Sequence, residues 1–298
     1  MSAKIKDLIF KMYRIAGRLL IKHSSNPRPS SSPYISGDGF RNIANHIYDN
    51  AHKNIIPENI KEKDMVFVGD SNIKKFFLEI HPRIINKYIL VTHNGDENID
   101  EKSINFIDEK IIKWYGINVS IEHPKIVPLP LGIENKHYYI LGIPAIFNII
   151  RKRKETLKKN KIFYAFSVKN NIVERQPALE ALQKTNTAET TKLWMNFYSY
   201  LNFLINYKFT ASPIGSSIEG HRNWDAVYTK VVPVVKETVT TKYFEKIGLP
   251  FWNIKNWNEL QQYDEDYLAK KYSEIINNSN NKTMWMDYWI DKIKNAKD

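Results

Sequence analysis

The chain of 298 residues contains no cysteine. Disulfides, thiolate nucleophiles and cysteine-based zinc sites are therefore excluded, and a reducing compartment fits the composition. Glycine and proline are scarce, at 11 and 13 residues, which argues against a fibrous or low-complexity chain. No apolar run reaches the length of a transmembrane helix. No Walker A run and no G-x-S-x-G elbow occurs, so P-loop and nucleophile-elbow chemistry have no sequence support. Recognisable nucleic-acid motifs are missing too, although the formal net charge is +12. A nucleic-acid partner is not expected. The surplus points to smaller anions or to an acidic surface, and a general richness in Lys, Asn and Ile dilutes even that signal.

What is present suits a globular protein. Hydrophobic residues make up 43% of the chain and aromatics 13%, enough for two modest cores. In "KIKDLIFKMYRIAGRLLIKH", residues 4–23, Ile5, Leu8, Ile9, Met12, Ile15, Ala16 and Leu19 share one helical face, with Lys and Arg largely elsewhere. This basic amphipathic helix either lies on an anionic membrane surface or docks on protein. It lacks the cleavage site of a signal peptide. "SSNPRPSSSP", residues 24–33, follows as a Ser/Pro linker.

From residue 65 onward strands and helices alternate. "MVFVGD" reads as a buried strand, "NIKKFFLEI" as a helix and "YILVTHNGD" as a strand. "KSINFIDEKIIKWYG" reads as a helix ending at Gly116, and "KIVPLPLGIEN" as a further strand. The basic run near residue 151 marks a junction. The alternation then restarts with "KIFYAFSV", "ERQPALEALQKT", a long aromatic helix, "KFTASP", "HRNWDAVYTK", "VVPVV", "TKYFEKIG" and "LPFWNI". This order predicts an α/β protein with parallel sheets. The expected organisation is residues 1–33 as helix and linker, 34–150 as an N-terminal Rossmann-like domain and 151–298 as a C-terminal one.

The densest chemistry lies in "TASPIGSSIEGHRNWDAVYTKVVPVV", residues 210–235. A strand would deliver Ser212, Pro213 and Gly215 to the C-terminal sheet edge, where open parallel sheets bind ligands. The next helix should start near Glu219-Gly220 with Ser216 or Ser217 as cap, and its N-terminus favours a phosphate. Arg222 in the first turn suits a bidentate grip on a diphosphate. His221 and Asp225 share a face, and a carboxylate there can hold sugar hydroxyls. Together these groups suit a nucleotide-sugar.

Through Ser212, Pro213, Gly215, Glu219, His221, Arg222, Trp224, Asp225, Ala226, Pro233 and Val234 the stretch resembles the motif region of exostosin-like glycosyltransferases and their bacterial surface-polysaccharide relatives. "ILVTHNGD", "PLPLGIEN", "NNIVERQPAL" with Asn171 and Arg175, and "MDYWIDKI" are similar to further parts of that family. The resemblance implies a GT-B-like fold, two Rossmann-like domains facing a central cleft, with the donor nucleotide-sugar held mainly by the C-terminal half. It also implies inversion, and it adds Arg175 to Arg222 as a partner for the leaving diphosphate. Ser217 stands where the family often has a second glycine, Glu219 where it has Asp, and Asp225 where it has Glu. The shorter acid at 225 leaves the donor sugar open.

Other constellations weigh less. "DED", residues 264–266, matches the Asp-x-Asp of metal-dependent transferases by letters but sits in a solvated helical context; no metal site and no cofactor is expected. "DENID", residues 96–100, lacks the rest of a calcium loop. For the general base, Asp96 at the tip of an Asn94-Gly95 turn comes first and His93 second. Asp70 and Asp38 of "YISGDGF" stand behind them. The expectation is a metal-independent glycosyltransferase, cytoplasmic or peripheral on the inner face of a membrane, that takes a nucleotide-sugar donor and a glycan or lipid-linked glycan acceptor. A non-catalytic carbohydrate- or nucleotide-binding scaffold and a phosphorylase on the same fold remain as alternatives.

Overall fold

A computed structural model describes residues 28–153, 157–191, 193 and 195–297, together with Leu8, Met12, Ile15, Leu19 and Asn26. The side chains of Asp70, Tyr139 and Ile140 lie outside that description. Most of the amphipathic segment 4–23 also lies outside it; its four described apolar residues are helical and exposed.

Two parallel five-stranded sheets form the frame. The first contains β1 (His46–Tyr48), β2 (Met65–Gly69), β3 (Tyr88–His93), β4 (Ile111–Gly116) and β5 (Ile126–Pro128), in sequential order. The second contains β6 (Lys159–Phe163), β7 (Ala188–Glu189), β8 (Tyr207–Ala211), β9 (Val232–Lys236) and β10 (Trp252–Ile254), in the order β10-β9-β8-β6-β7. The helices are α1 (Gly37–Asn42), α2 (Pro144–Arg151), α3 (Ile172–Gln183), α4 (Phe197–Leu204), α5 (His221–Tyr228), α6 (Val239–Lys246), α7 (Glu265–Asn278) and α8 (Met286–Lys294). The protein is thus α/β with two parallel sheets, the GT-B-like layout; the second sheet has the doubly wound order of a Rossmann-like domain, with its switch between β6 and β8, while the first runs in sequential order.

Strand alternation explains the layers. In β2 and β3, Met65, Phe67, Ile89 and Val91 face one cluster, while Val66, Val68, Tyr88 and Leu90 face another. Both faces are apolar because both are covered, as parallel sheets require. The first cluster is shared between the halves. It joins Phe67, Val91 and Tyr115 to Trp224, Val235 and Phe244, and to Met286, Trp289 and Ile293 of α8. That last helix therefore packs back on the N-terminal half: the Met286 amide donates to Pro33 O at 3.0 Å, and Tyr115 Oη donates to Lys292 O at 3.1 Å.

Several segments differ from the sequence expectation. "KSINFIDEKIIKWYG" is not one helix. Asp100 caps a short 3₁₀ segment, Glu101–Phe106, and the rest is β4. Ile111, Ile112, Trp114 and Tyr115 are all buried, because a central strand reads as a continuous apolar run that periodicity cannot separate from a helix. "NIKKFFLEI" forms only short helical turns, including a π-type turn at Phe76–Ile80. The described helix of the long aromatic segment is just α4. β1 and β7, at three and two residues, gave too little pattern to read. α5 starts at His221, and its N-cap is Gly220, which makes no side-chain capping bond; neither Ser216 nor Ser217 caps it.

Candidate active site

The C-terminal ends of both sets of strands meet at one cleft of about 880 Å³, the size of a ligand site for a molecule as large as a nucleotide-sugar. Gly69 and His93 end β2 and β3 on one wall; Ser212 follows β8 on the other. Of the residues singled out in the sequence, His93, Asp96, Arg175, Ser212, Gly215, Glu219, His221 and Arg222 line this cleft. Asp225 does not: it lies four residues along α5 from His221.

The C-terminal wall is built for an anion. Asn171 caps α3 by accepting from the Glu174 amide, and its Nδ2 donates to Gly215 O at 2.9 Å. Arg175, in the first turn of α3, donates from Nε to Ile214 O at 3.0 Å and from Nη1 to Ser167 O at 2.9 Å. A Cβ at position 215 would lie 2.5 Å from Arg175 Nη2, so glycine is what lets the guanidinium press against this loop. Burial and the nearby Arg222 both work against the Arg175 charge. Neither arginine has an ion-pair partner within the salt-bridge distance among the described residues. Two such guanidiniums beside the N-terminus of α5, whose first amides carry no side-chain cap, form an electropositive pocket that a phosphate group would satisfy.

The segment 217–221 does something the sequence did not reveal. Ser217 Oγ donates to Asp96 Oδ1 at 2.8 Å, and the Ile218 amide donates to Asn118 Oδ1 at 3.0 Å. Glu219 Oε1 accepts from the Leu131 amide in a very short bond, and His221 Nδ1–H donates to Gly132 O at 2.8 Å. Four of five consecutive residues thus stitch the C-terminal half to the N-terminal half at the floor of the cleft.

Glu219 is buried, and its second oxygen accepts from Trp224 Nε1 at 3.0 Å. Burial pushes its carboxyl up to about 8, against the pull of these donors. Its oxygens are committed to protein donors, so it holds the floor of the site rather than reaching for donor hydroxyls. Burial likewise pushes Asp225 up to about 8, with Arg222 pulling it back. His221 Nε2 faces Glu134 Oε1 at 3.5 Å.

On the N-terminal wall His93 is buried. Its Nε2–H donates to Pro130 O at 3.1 Å and its Nδ1 accepts from the Asn94 amide at 2.8 Å. Burial lowers it to about 4. The ring is neutral with both nitrogens engaged. Asp96 is exposed at its turn, where Asn94 has φ of 65°. Asp70 follows β2, and its side chain lies outside the described residues.

"YISGDGF" becomes a capped helix start: Ser36 accepts from the Gly39 amide, and Asp38 is fully buried in α1. A Cβ on Gly37 would lie 1.9 Å from Asn94 Oδ1, so glycine permits α1 to close on the His93-Asn94 turn. Asp38 then accepts from Arg28 Nη2 at 2.6 Å, Asn94 Nδ2 at 3.3 Å and His137 Nδ1 at 3.0 Å. Neither His137 nor Arg28 was a sequence candidate. The only signal was Asp38 between two glycines; its partner lies 99 residues away.

Asp264 serves as N-cap of α7, accepting from the Tyr267 amide at 2.7 Å. Among the described residues no group of three or more His, Asp or Glu side chains is placed to hold a metal ion, and no helix is long and apolar enough to cross a membrane.

No protein-family model matches the sequence, and no curated protein matches it. Among solved structures the chain is similar to TarM, with 14% identity and a TM-score of 0.39 over 78% of this chain. The chain spans about half the length of that protein, 54%. It is also similar to a structure described as trehalose-6-phosphate from E. coli bound with UDP-2-fluoro glucose, with 11% identity and a TM-score of 0.43, covering 79% of this chain and 74% of the other.

Proposed function

We propose that the protein is a glycosyltransferase that moves a sugar from a nucleoside diphosphate to a hydroxyl of a growing surface glycan, by an inverting, metal-independent route. The observation that carries this reading is the pairing of Arg175 and Arg222 on one wall of the cleft, beside the N-terminus of α5. In this reading a leaving diphosphate gains charge against these groups as its bond to the sugar breaks, and fixed cations there would stabilise the transition state more than the ground state. The Ser212–Ser217 loop adds hydroxyls and backbone groups for the donor. The opposite wall, at the ends of β2 and β3, is left for the acceptor. The resemblance of residues 210–235 to exostosin-like enzymes supports the same division of labour.

Calorimetric titration against a panel of nucleoside-diphosphate sugars tests the reading. One donor should bind specifically, Arg222→Ala should weaken it, and release of the nucleoside diphosphate should continue in excess chelator. Abolition by chelator with rescue by manganese or magnesium overturns the metal-independent part. Binding of every donor without turnover moves the protein to the scaffold class, and turnover that requires inorganic phosphate moves it to the phosphorylases.

A further inference from the structure

We infer that His137, held by the buried carboxylate of Asp38, is the base that takes the proton of the acceptor hydroxyl, and that the surface around His137 and Tyr138 is the acceptor subsite. The inference rests on the glycosyl-transfer reading above.

Asp38 is fully buried and its Oδ2 accepts from His137 Nδ1 at 3.0 Å. A carboxylate can only accept here, so Nδ1 carries a proton, and in the neutral tautomer that this bond selects the lone pair lies on Nε2. Nε2 has no hydrogen-bond partner among the described residues, and His137 lines the same cleft as Arg175 and Arg222. This is the orienter–base arrangement: a buried acid fixes the tautomer and steadies the cation formed when the ring takes a proton. Asp38 is itself held by Arg28 Nη2 at 2.6 Å and by Asn94 Nδ2 at 3.3 Å, and its backbone amide donates to Asn135 Oδ1 at 2.7 Å. Asn135 Nδ2 in turn donates to Asn94 Oδ1 at 2.8 Å. The carboxylate therefore takes three donors, and the Asp38 backbone is pinned by Asn135.

Two of the sequence candidates are engaged. His93 has both ring nitrogens bonded, and Asp96 shares an oxygen with Ser217. Beside His137 the Tyr138 ring lies 4.2 Å away, centroid to centroid, and also lines the cleft. Its amphipathic face suits the C–H side of a sugar, so the acceptor class is a carbohydrate alcohol.

In the step, the acceptor oxygen forms a bond to the anomeric carbon as its proton passes to His137 Nε2. The bond from that carbon to the diphosphate oxygen breaks, and the electron pair leaves with the nucleoside diphosphate, opposite Arg175 and Arg222. Asp38 touches no substrate; it is a positioning residue.

The test uses the full chain with the donor selected by the panel and water as acceptor, read by released nucleoside diphosphate. His137→Ala should leave donor affinity unchanged and lower turnover by about 10²- to 10⁴-fold, the range of a general base. Added imidazole should restore part of the loss, which a purely structural role would not allow. His137→Gln, which keeps a donor toward Asp38, should lose as much and so guards against misfolding. Asp38→Asn should lower kcat with the donor KM unchanged. Parental turnover in His137→Ala with donor bound, or loss in Asp96→Asn but not in the His137 variants, overturns the assignment. Failure of the parent chain to bind or hydrolyse any donor, with Arg222→Ala indifferent, overturns the glycosyl-transfer reading instead.

Discussion

Ser217 Oγ donates to Asp96 Oδ1 at 2.8 Å, joining a loop of the C-terminal half to a turn of the N-terminal half across 121 residues of sequence. The pair is exposed, so a bond of this kind contributes roughly 0.5–1.5 kcal/mol and water can replace it. Ser217→Ala and Asp96→Asn should each change the melting temperature little. Asp96→Asn should also turn over donor close to the parental rate, since His137 carries the proton. Steady-state kinetics on the two variants checks both statements; a large rate loss in Asp96→Asn alone would return the base to Asp96.

Glu219 is the opposite case, because its partners are buried. Glu219→Ala leaves the Leu131 amide and Trp224 Nε1 without acceptors, at roughly 1–3 kcal/mol each. Denaturant unfolding should show a loss of several kcal/mol, and donor affinity should fall as the floor of the cleft loosens. An unchanged midpoint would mean that solvent reaches these donors.

The same residue sets a pH dependence. The folded chain raises Glu219 from 4.5 to about 8. The folded state therefore keeps this proton where the unfolded chain has released it. Its destabilising effect is absent below the unfolded value, grows as pH rises from 4.5 toward 8, and is constant above. Glu219→Gln cannot ionise, so its melting temperature should decline less than the parent's between pH 5 and 8, even though the amide serves Trp224 less well. Parallel melting curves over that window would show that Glu219 ionises normally in the fold.

Arg222 and Arg175 should separate by function. Arg222→Ala removes one charged grip, worth roughly 1.5–3 kcal/mol, and should weaken the donor about 10- to 100-fold. Turnover should suffer more, because the diphosphate charge grows in the transition state. Arg222→Lys should recover only part, having lost the planar fork. Arg175 also holds the carbonyls of Ser167 and Ile214, so Arg175→Ala should lower stability as well as affinity. Equal stability loss in both variants would contradict this division.

Much of this layout was legible in the residue pattern. Buried runs such as "MVFVG" and "VVPVV" are strands, and the Ser-Gly loop before α5 does reach the cleft with Arg222. The pattern failed where tertiary partners decide. "KIIKWYG" is a strand because the sheet buries both its faces. Glu219 looked like a ligand group because its acceptors' partners, Leu131 and Trp224, meet only after folding. His137 carried no local signal at all: its role is visible only once α1 brings Asp38 beneath it.

The N-terminal segment yields the last test. Leu8, Met12, Ile15 and Leu19 fall at helical spacing and are 58%, 59%, 57% and 60% exposed, so this apolar stripe has no cover from the described fold. The sequence between them supplies Lys11, Arg14 and Arg18, with Lys4 and Lys22 flanking. An apolar stripe flanked by cations partitions into an anionic interface through buried area plus charge, with roughly 1 kcal/mol from each Lys or Arg near the surface. Deleting residues 1–24 should release the protein from vesicles containing anionic lipid while leaving donor hydrolysis in solution unchanged. Raising salt should release the full chain only in part, because screening removes the charge contribution and leaves the apolar one. Flotation of both chains with anionic and with neutral vesicles reads this directly. A deletion that instead lowers the melting temperature and the hydrolysis rate together would show that the stripe packs on its own fold.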